Sequence, residues 1–425
     1  MKPLFIYFYC AILILLTSCS HKIKDDSQTI VSMQLIDRNG FAETISSKDR
    51  LHSYQKTDFA RPQPYKKILR VFGKDAVGKS SSKISSYHDN GQLNEYVEVV
   101  DGRAYGHFQE YYSNGQIKIQ GNVIEGIADI TDLAKASWHF HGKTVVWDEN
   151  GQLLAEMDYD RGVLEGPSLY YHLNGTLCKS MFYHQNEIQG NYFEYDTEGL
   201  IRKKAFYEKG LKEGIAEGYW KENLIAFHEE YRQGLLHLGN YFNALGEKIA
   251  HIEEGKGIQA HFLEDRLHSF IEYHQGVPEG LVELFTPQGH RERIYHIKEN
   301  QKNGEETIYY PLKETANQLQ PKLTLFWHED ALQGIVKTWY KQGALESQRE
   351  MDKNKKHGLS FAWYPTGDLM LMEEYNHDHL IRGSYFEKGD QLPTSKVENG
   401  NGTVSLFTPE GHFLKKIAYE NGFPK

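Results

Sequence analysis

The sequence of 425 residues predicts an all-β chain, an extended, solenoid-like meander of antiparallel hairpins built from units of about 24 residues. Three observations predict it. Glycines recur at steps of 24 residues, as in Gly91 and Gly115, in Gly151, Gly175 and Gly199, in Gly142, Gly166, Gly190 and Gly214, and in Gly343 and Gly367. Such registration marks a structural unit repeated head to tail. Between the glycines lie short aromatic-rich segments such as "SLYYHL" and "TLCKSMFYH", of strand length and too short for robust helices. Asn-Gly pairs at 39–40, 90–91, 114–115, 150–151, 174–175 and 421–422 supply the third signal, because both residues can take the positive φ of a tight hairpin.

The elements follow in chain order. Residues 1–18 carry one lysine and an apolar run from Leu4 to Leu16, the plan of a secretory signal and too short for a spanning helix. Leu16-Thr17-Ser18-Cys19 resembles a bacterial lipoprotein box, which implies cleavage before Cys19 and lipidation of that cysteine. The implied product is an exported, membrane-anchored lipoprotein at the outer membrane or facing the periplasm. Several acyl chains give a stable anchor, since each buried methylene adds roughly 0.8 kcal/mol. With Cys10 removed and Cys19 lipidated, Cys178 is left as a lone thiol and no disulfide can form within the mature chain.

Residues 19–84 read as a polar tether and degenerate first hairpins, with "QLIDRNGFAETIS" the first of these. The regular array runs from 85 to 383. Two insertions interrupt it, one near 127–142 ("IADITDLAKASWHFHG") and one near 311–321 ("PLKETANQLQP"). On a repeat array, insertions are expected as loops or short helices on one side, often the recognising side. Residues 384–425 are degenerate repeats, in which "LVELFTPQGH" (281–290) returns as "VSLFTPEGH" (404–412).

Each unit also has a second, looser corner, as in "GVLEG" (162–166) and "GLKEG" (210–214), with Asn in place of the first glycine in "NEIQG" (186–190) and "NKKHG" (354–358). The corner Tyr207-Glu208-Lys209-Gly210-Leu211-Lys212-Glu213-Gly214 and the arm Tyr170-Tyr171-His172-Leu173-Asn174-Gly175-Thr176-Leu177 resemble the MORN-repeat family in its bacterial variant. Members of that variant include proteins labelled as antitoxins. The resemblance implies a hairpin array and, for function, a binding protein. The alternate glycines of the family's second strand are degraded here.

Candidate chemistry is weighed against the repeat. Gly73-xxxx-Gly78-Lys79-Ser80 matches the phosphate-cradling pattern, which requires a helix after it. The segment after Ser80 instead aligns with the hairpin 109–120 at the 24-residue step, so no nucleotide partner is expected. The formal charge of −10 and the lack of a Lys/Arg block argue against nucleic acid. His139-Phe140-His141 and His377-Asp378-His379 each place two rings on one strand face, short of the three or four ligands of a zinc site. Glu125, Glu165, Glu213 and Glu279 recur before closing glycines as solvated turn residues, and Cys178 occupies an ordinary strand position. The 28 Tyr, 21 Phe and 6 Trp are expected to stack as a core ladder on one face and to line the other with tyrosine.

The reading is a lipid-anchored, non-enzymatic scaffold that binds a protein or cell-envelope component, with no cofactor or metal; the alternative is a toxin-neutralising binder. Its structural residues are Gly91, Gly115, Gly151, Gly166, Gly175, Gly190, Gly199, Gly214, Gly343 and Gly367, and its lipidation site is Cys19.

Overall fold

The computed structural model describes residues 29–425 apart from 56, 59–60, 63–65, 75–77, 222–223, 264 and 312–317. Cys19, the signal segment and much of the second insertion lie outside the described residues. The chain divides into two units, Met1–Val163 and Leu164–Lys425. Strands dominate both, paired antiparallel with their neighbours in chain order.

In the first unit the strand Thr29–Asp37 pairs on one side with Ala42–Ile45, the first degenerate hairpin, and on the other with Lys66–Lys74. Ser80–Tyr87 forms the next strand, against both Lys66–Lys74 and Leu93–Val100. The glycine-lysine-serine motif therefore runs into sheet, and Gly73 sits opposite Ser81 within it, with no helix N-terminus at Ser80. The meander continues through Arg103–Tyr111, Ile117–Ile124, Gly142–Trp147 and Leu153–Asp160.

Two kinds of turn alternate, and the structure reverses their expected roles. The tight two-residue turn is the second corner: Arg161 and Gly162 have φ of 47° and 83°, Lys209 and Gly210 50° and 75°. Positive φ at both central residues is the type I′ geometry, whose twist matches that of paired strands. At the Asn-Gly corners only the glycine has positive φ; among the six asparagines, Asn421 alone does, and it lies in a two-residue turn. Asn90, Asn114 and Asn174 serve differently. Each accepts the N–H two residues on, and each donates its amide to a carbonyl of the next repeat, to Ser113, Glu149 and Thr197 at 2.6–2.8 Å. The ten glycines expected to be structural all have positive φ, from 67° to 110°.

Along the other edge, side chains join successive tight turns. Asn186 has φ 67°, and its Oδ1 accepts the N–H of Leu164 at 2.8 Å; Asn354, Asp330 and Asp378 do the same for Leu332, Lys302 and Lys356. Two of the four glutamates before closing glycines are staples as well: Glu165 and Glu213 accept the N–H of Gln185 and Gln233 in the next turn. Asn186→Gly keeps the backbone geometry and loses one hydrogen bond, so it should cost about 1 kcal/mol. Asn186→Ala should cost roughly 1–2 kcal/mol more, for a left-handed alanine. Hydrogen exchange at the 185–186 turn orders the two variants; equal protection would contradict the staple.

The first insertion is folded inward. Its helix Asp132–Lys135 is started by Thr131, whose hydroxyl accepts the N–H of Ala134, and Lys135 reaches the buried Glu95 at 2.7 Å. Arg70 pairs with Asp129 at 2.9 Å, and the buried Trp138 packs 5.3 Å from Phe108 while donating its indole N–H to the Ile127 carbonyl. The segment completes the first unit's core, with Ile130 and Trp138 against Val97, Phe108 and Val123, and is not an outward recognition loop.

In the second unit the sheet curls on itself twice. Gly255 N–H donates to the His237 carbonyl, Gly276 to Gly255, and Leu236 to Gly276, at 2.9, 2.9 and 3.1 Å, closing three adjacent turns into a ring. The same ring forms from Gly400 to Ile381, Gly422 to Gly400, and Leu380 to Gly422, at 2.9, 2.9 and 3.2 Å. Leu236 and Leu380, whose N–H groups close the two rings, are almost fully buried in the cores beside them. Where the rings close, the spacing of tight turns drops below 24 residues, as from Gly234 to Gly255 and Gly276. The shortened hairpins bring strands that would lie apart in a flat meander to face each other.

Tyrosine does not line a wet outer face: most of the described tyrosines are half-buried and only Tyr105 among them is exposed. Tyr192, Tyr231, Tyr241, Tyr364, Tyr375 and Tyr385 are buried, while Phe182, Phe206, Ile215, Phe326 and Ile335 are exposed.

Candidate binding trough

The first curl encloses an open trough of about 1010 Å³, lined from His172 to Asp265. Its floor is a cross-strand row in register, Lys179, Glu194, Lys203, Gly218 and Phe227, which continues to the buried Tyr241. The sheet can bend here because small residues stand where the faces meet. A Cβ on Gly218 would lie 2.0 Å from the Phe227 ring, and one on Gly239 2.6 Å from the Tyr241 hydroxyl. Trp220 and Phe262, from opposite sides of the trough, meet edge to face at 4.7 Å, and Arg202 bridges to Asp265.

Beneath the floor lies a buried carboxylate. Glu229, 4% exposed, accepts hydrogen bonds from Tyr231, Tyr241 and Gln259, each at 2.9 Å, and Gln259 in turn accepts from Tyr273 at 3.0 Å. Desolvation, with the Glu229 charge beside it, pushes the Tyr273 phenol up to about 12 and raises Tyr231 and Tyr241 further. Lys212 lies over the Tyr231 ring at 4.4 Å and donates to its hydroxyl at 3.1 Å. Burial lowers the Lys212 pKa; Glu229 opposes that shift and nearby Lys203 adds to it. His261 is lowered by burial first, then by His268, Lys203 and Lys212.

Alternate positions on the same strands carry a second hub. Glu217 accepts from Lys204 at 2.6 Å, from His228 at 3.0 Å and from Tyr219. Burial opposes its ionisation, yet these hydrogen bonds outweigh it and hold its pKa at about 2. Because the folded pKa lies below the ordinary 4.5, the stabilisation is present above that pH and is lost as pH falls toward 2. An NMR titration of the Glu217 carboxyl should show a midpoint near 2; one near 4.5 would mean the hub does not form.

Several residues that the sequence singles out fall elsewhere. Cys178 is half-buried and lines the trough rather than filling a core. His377 and Asp378 form a tight turn with φ of 47° and 71°, so His377 and His379 do not share a strand face; His379 instead packs 4.6 Å from Phe423. His139 and His141 face Glu125 and Asp160. Among the described residues no group of three or more His, Cys, Asp or Glu could hold a metal, and no helix is long and apolar enough to cross a membrane. The trough itself was hidden in the sequence. Its one signal was the clustering of Ala205, Ala216, Gly218, Gly239, Ala250 and Ala260, small residues in a region otherwise rich in tyrosine.

Comparison with known proteins adds a short family match. The family described as "MORN repeat variant" matches residues 104–124 and 140–161, about two hairpins of the first unit. No curated relative matches. Among solved structures, the Tc holotoxin pore of Photorhabdus luminescens aligns at 11% identity with a TM-score of 0.14, covering 93% of this chain and 24% of that one. The crystal structure of TcdB2–TccC3 without its hypervariable C-terminal region aligns at 10% identity and 0.13, covering 88% and 24%. This chain thus spans about a quarter of the length of either.

Proposed function

We propose that the chain is an exported, lipid-anchored repeat scaffold that binds a protein or envelope component in the trough of its second unit. The trough carries this reading. At about 1010 Å³ and open to solvent it lies at the upper bound of small-molecule pockets, roughly 300–1,000 Å³, and suits a segment of a larger partner. Its lining mixes charge with aromatic walls, the composition of recognition surfaces. A photo-crosslinking benzoylphenylalanine in place of Tyr195, on the trough wall, should capture a discrete partner from envelope extract. The same group in place of Phe206, exposed on the reverse face, should not; equal capture from both positions would refute the site.

The anchor rests on Leu16-Thr17-Ser18-Cys19. Cys19→Ser should abolish fatty-acid labelling and shift the protein from the membrane to the soluble fraction. Unchanged labelling and fractionation would remove the anchor from the proposal and leave the trough untouched.

A further inference from the structure

The chain contains its own control for what the trough needs in order to fold. The second curl repeats the first at a distance of 144 residues, six units, as far as Tyr241 and Tyr385, and of 145 from Gly255 and Gly400 to Asp265 and Glu410. Glu373 replaces Glu229, with Tyr375 donating to it at 3.1 Å and Tyr385 at 2.8 Å. Lys356 lies over the Tyr375 ring at 4.5 Å, as Lys212 does over Tyr231. Gly383 lies under the Tyr385 hydroxyl as Gly239 does under Tyr241. These shared residues are the ones that make the curl.

The floor of the trough is not shared. The corresponding row, in the same register, reads Leu323, Thr338, Ser347, Ala362, Leu371 and Tyr385. Lys179, Glu194 and Lys203 of the first curl are thus replaced by uncharged residues, and the curl still closes. The bridge goes too: Glu346 and Glu410 stand where Arg202 and Asp265 do, and two carboxylates cannot pair. The charges of the first trough are therefore not a requirement of folding.

One of those charges also lacks a partner. Lys179 lies 3.7 Å from Glu194, and Lys204, on the other face, is held by Glu217, but Lys203, half-buried between Glu194 and Gly218 in the register, makes no ion pair among the described residues. Lys212 lies near enough to repel it, and among the carboxylates of the lining Glu194 faces Lys179, Asp265 bridges to Arg202 and Glu229 offsets Lys212. A half-buried ammonium left without an ion pair favours an anion from outside.

We infer that the first trough seats an acidic peptide segment of a protein partner, with Lys203 receiving a ligand carboxylate. This rests on the binding role proposed for the trough. A peptide fits the row better than an acidic glycan, because the row reads Lys179, Glu194 and Lys203, and a peptide can alternate acidic residues with neutral ones so that no ligand charge faces Glu194, whereas a uronic-acid chain carries a charge on every residue. A chain of uronic acids would set like charge against Glu194.

The test uses the full chain and fluorescein-labelled octapeptides of alternating Glu and Ser, with Gln-Ser and Lys-Ser octapeptides and a polygalacturonate oligomer as comparisons. Lys203→Ser copies Ser347 of the second curl and so should keep the fold, checked by hydrogen exchange. The Glu-Ser peptide should bind saturably, at least tenfold better than Gln-Ser or Lys-Ser, and Lys203→Ser should weaken it at least tenfold. Ser347→Ala should leave the binding unchanged. Equal affinity for Lys-Ser, no loss in Lys203→Ser, or binding confined to polygalacturonate would each overturn the inference. Capture through position 195 that persists in Lys203→Ser would sink the role of Lys203 while leaving the trough as the binding site; no capture at 195 would remove the site itself.

Discussion

Gly255→Val is expected to open the first curl, whereas Gly190→Val should loosen a single hairpin. Both glycines have positive φ, 74° and 82°, so both variants bear the roughly 1–2 kcal/mol of a left-handed residue, aggravated by β-branching. The difference lies in what a side chain would meet. At Gly190 a Cβ finds nothing within 4 Å. At Gly255 it would lie 2.5 Å from the backbone nitrogen of Gly276, the atom that donates to the Gly255 carbonyl and closes the ring of turns. Backbone cannot move aside as a side chain can, so the overlap adds an overpacking cost of about 1–3 kcal/mol and breaks the ring. Stability in a repeat array is a sum of local and neighbour terms, which makes hydrogen exchange a better readout than one melting temperature. Gly190→Val should deprotect residues near 186–194 alone. Gly255→Val should deprotect the ring strands from 235 to 276 together and release Leu236. Matching, hairpin-sized effects from both variants would mean that the ring is not a cooperative element.

The repeat was legible because its causes are local. A type I′ turn needs residues that accept positive φ, and Gly162, Asn186 and Gly210 declare themselves by identity and spacing. Which corner held that turn was not legible. Asn174 and Gly175 have the composition of a tight turn, but the asparagine there reaches sideways to Thr197, a contact that becomes visible only when repeats lie side by side. The same limit hid the roles of Glu165 and Glu213, whose recurrence looked like solvation and is lateral capping. The inward insertion was missed because Lys135 finds Glu95 forty residues back, and no local pattern announces such a pair. The trough depends on a change of step, from 24 residues to fewer at Gly255 and Gly400, which sequence alone presents as a lapse in the repeat. In the structure that lapse is where the sheet closes.

Glu229→Ala is expected to be the most damaging side-chain change in the second unit, and the second curl shows how much of the damage comes from the partners it abandons. Removing the carboxylate leaves the hydroxyls of Tyr231 and Tyr241 and the amide of Gln259 without their acceptor in a buried site. Each orphaned donor costs about 1–3 kcal/mol, and water entering the cavity can relieve only part of it. Glu373 is half-buried and holds two tyrosines, and Val404 occupies the place of Gln259, so Glu373→Ala abandons one donor fewer. The first substitution should therefore exceed the second by roughly one buried hydrogen bond, about 1–3 kcal/mol. Tyr241→Phe alone should cost about the same amount, because it leaves the carboxylate two donors in place of three. Combined with Glu229→Ala it should cost less than the sum, since the hydroxyl it removes is already orphaned. Hydrogen exchange on the strands Ile225–Arg232 and Leu369–Asn376 reads the two curls separately in one molecule. Equal losses from Glu229→Ala and Glu373→Ala, or additive losses in the double variant, would show that Glu229 is held by packing around it and not by its three donors.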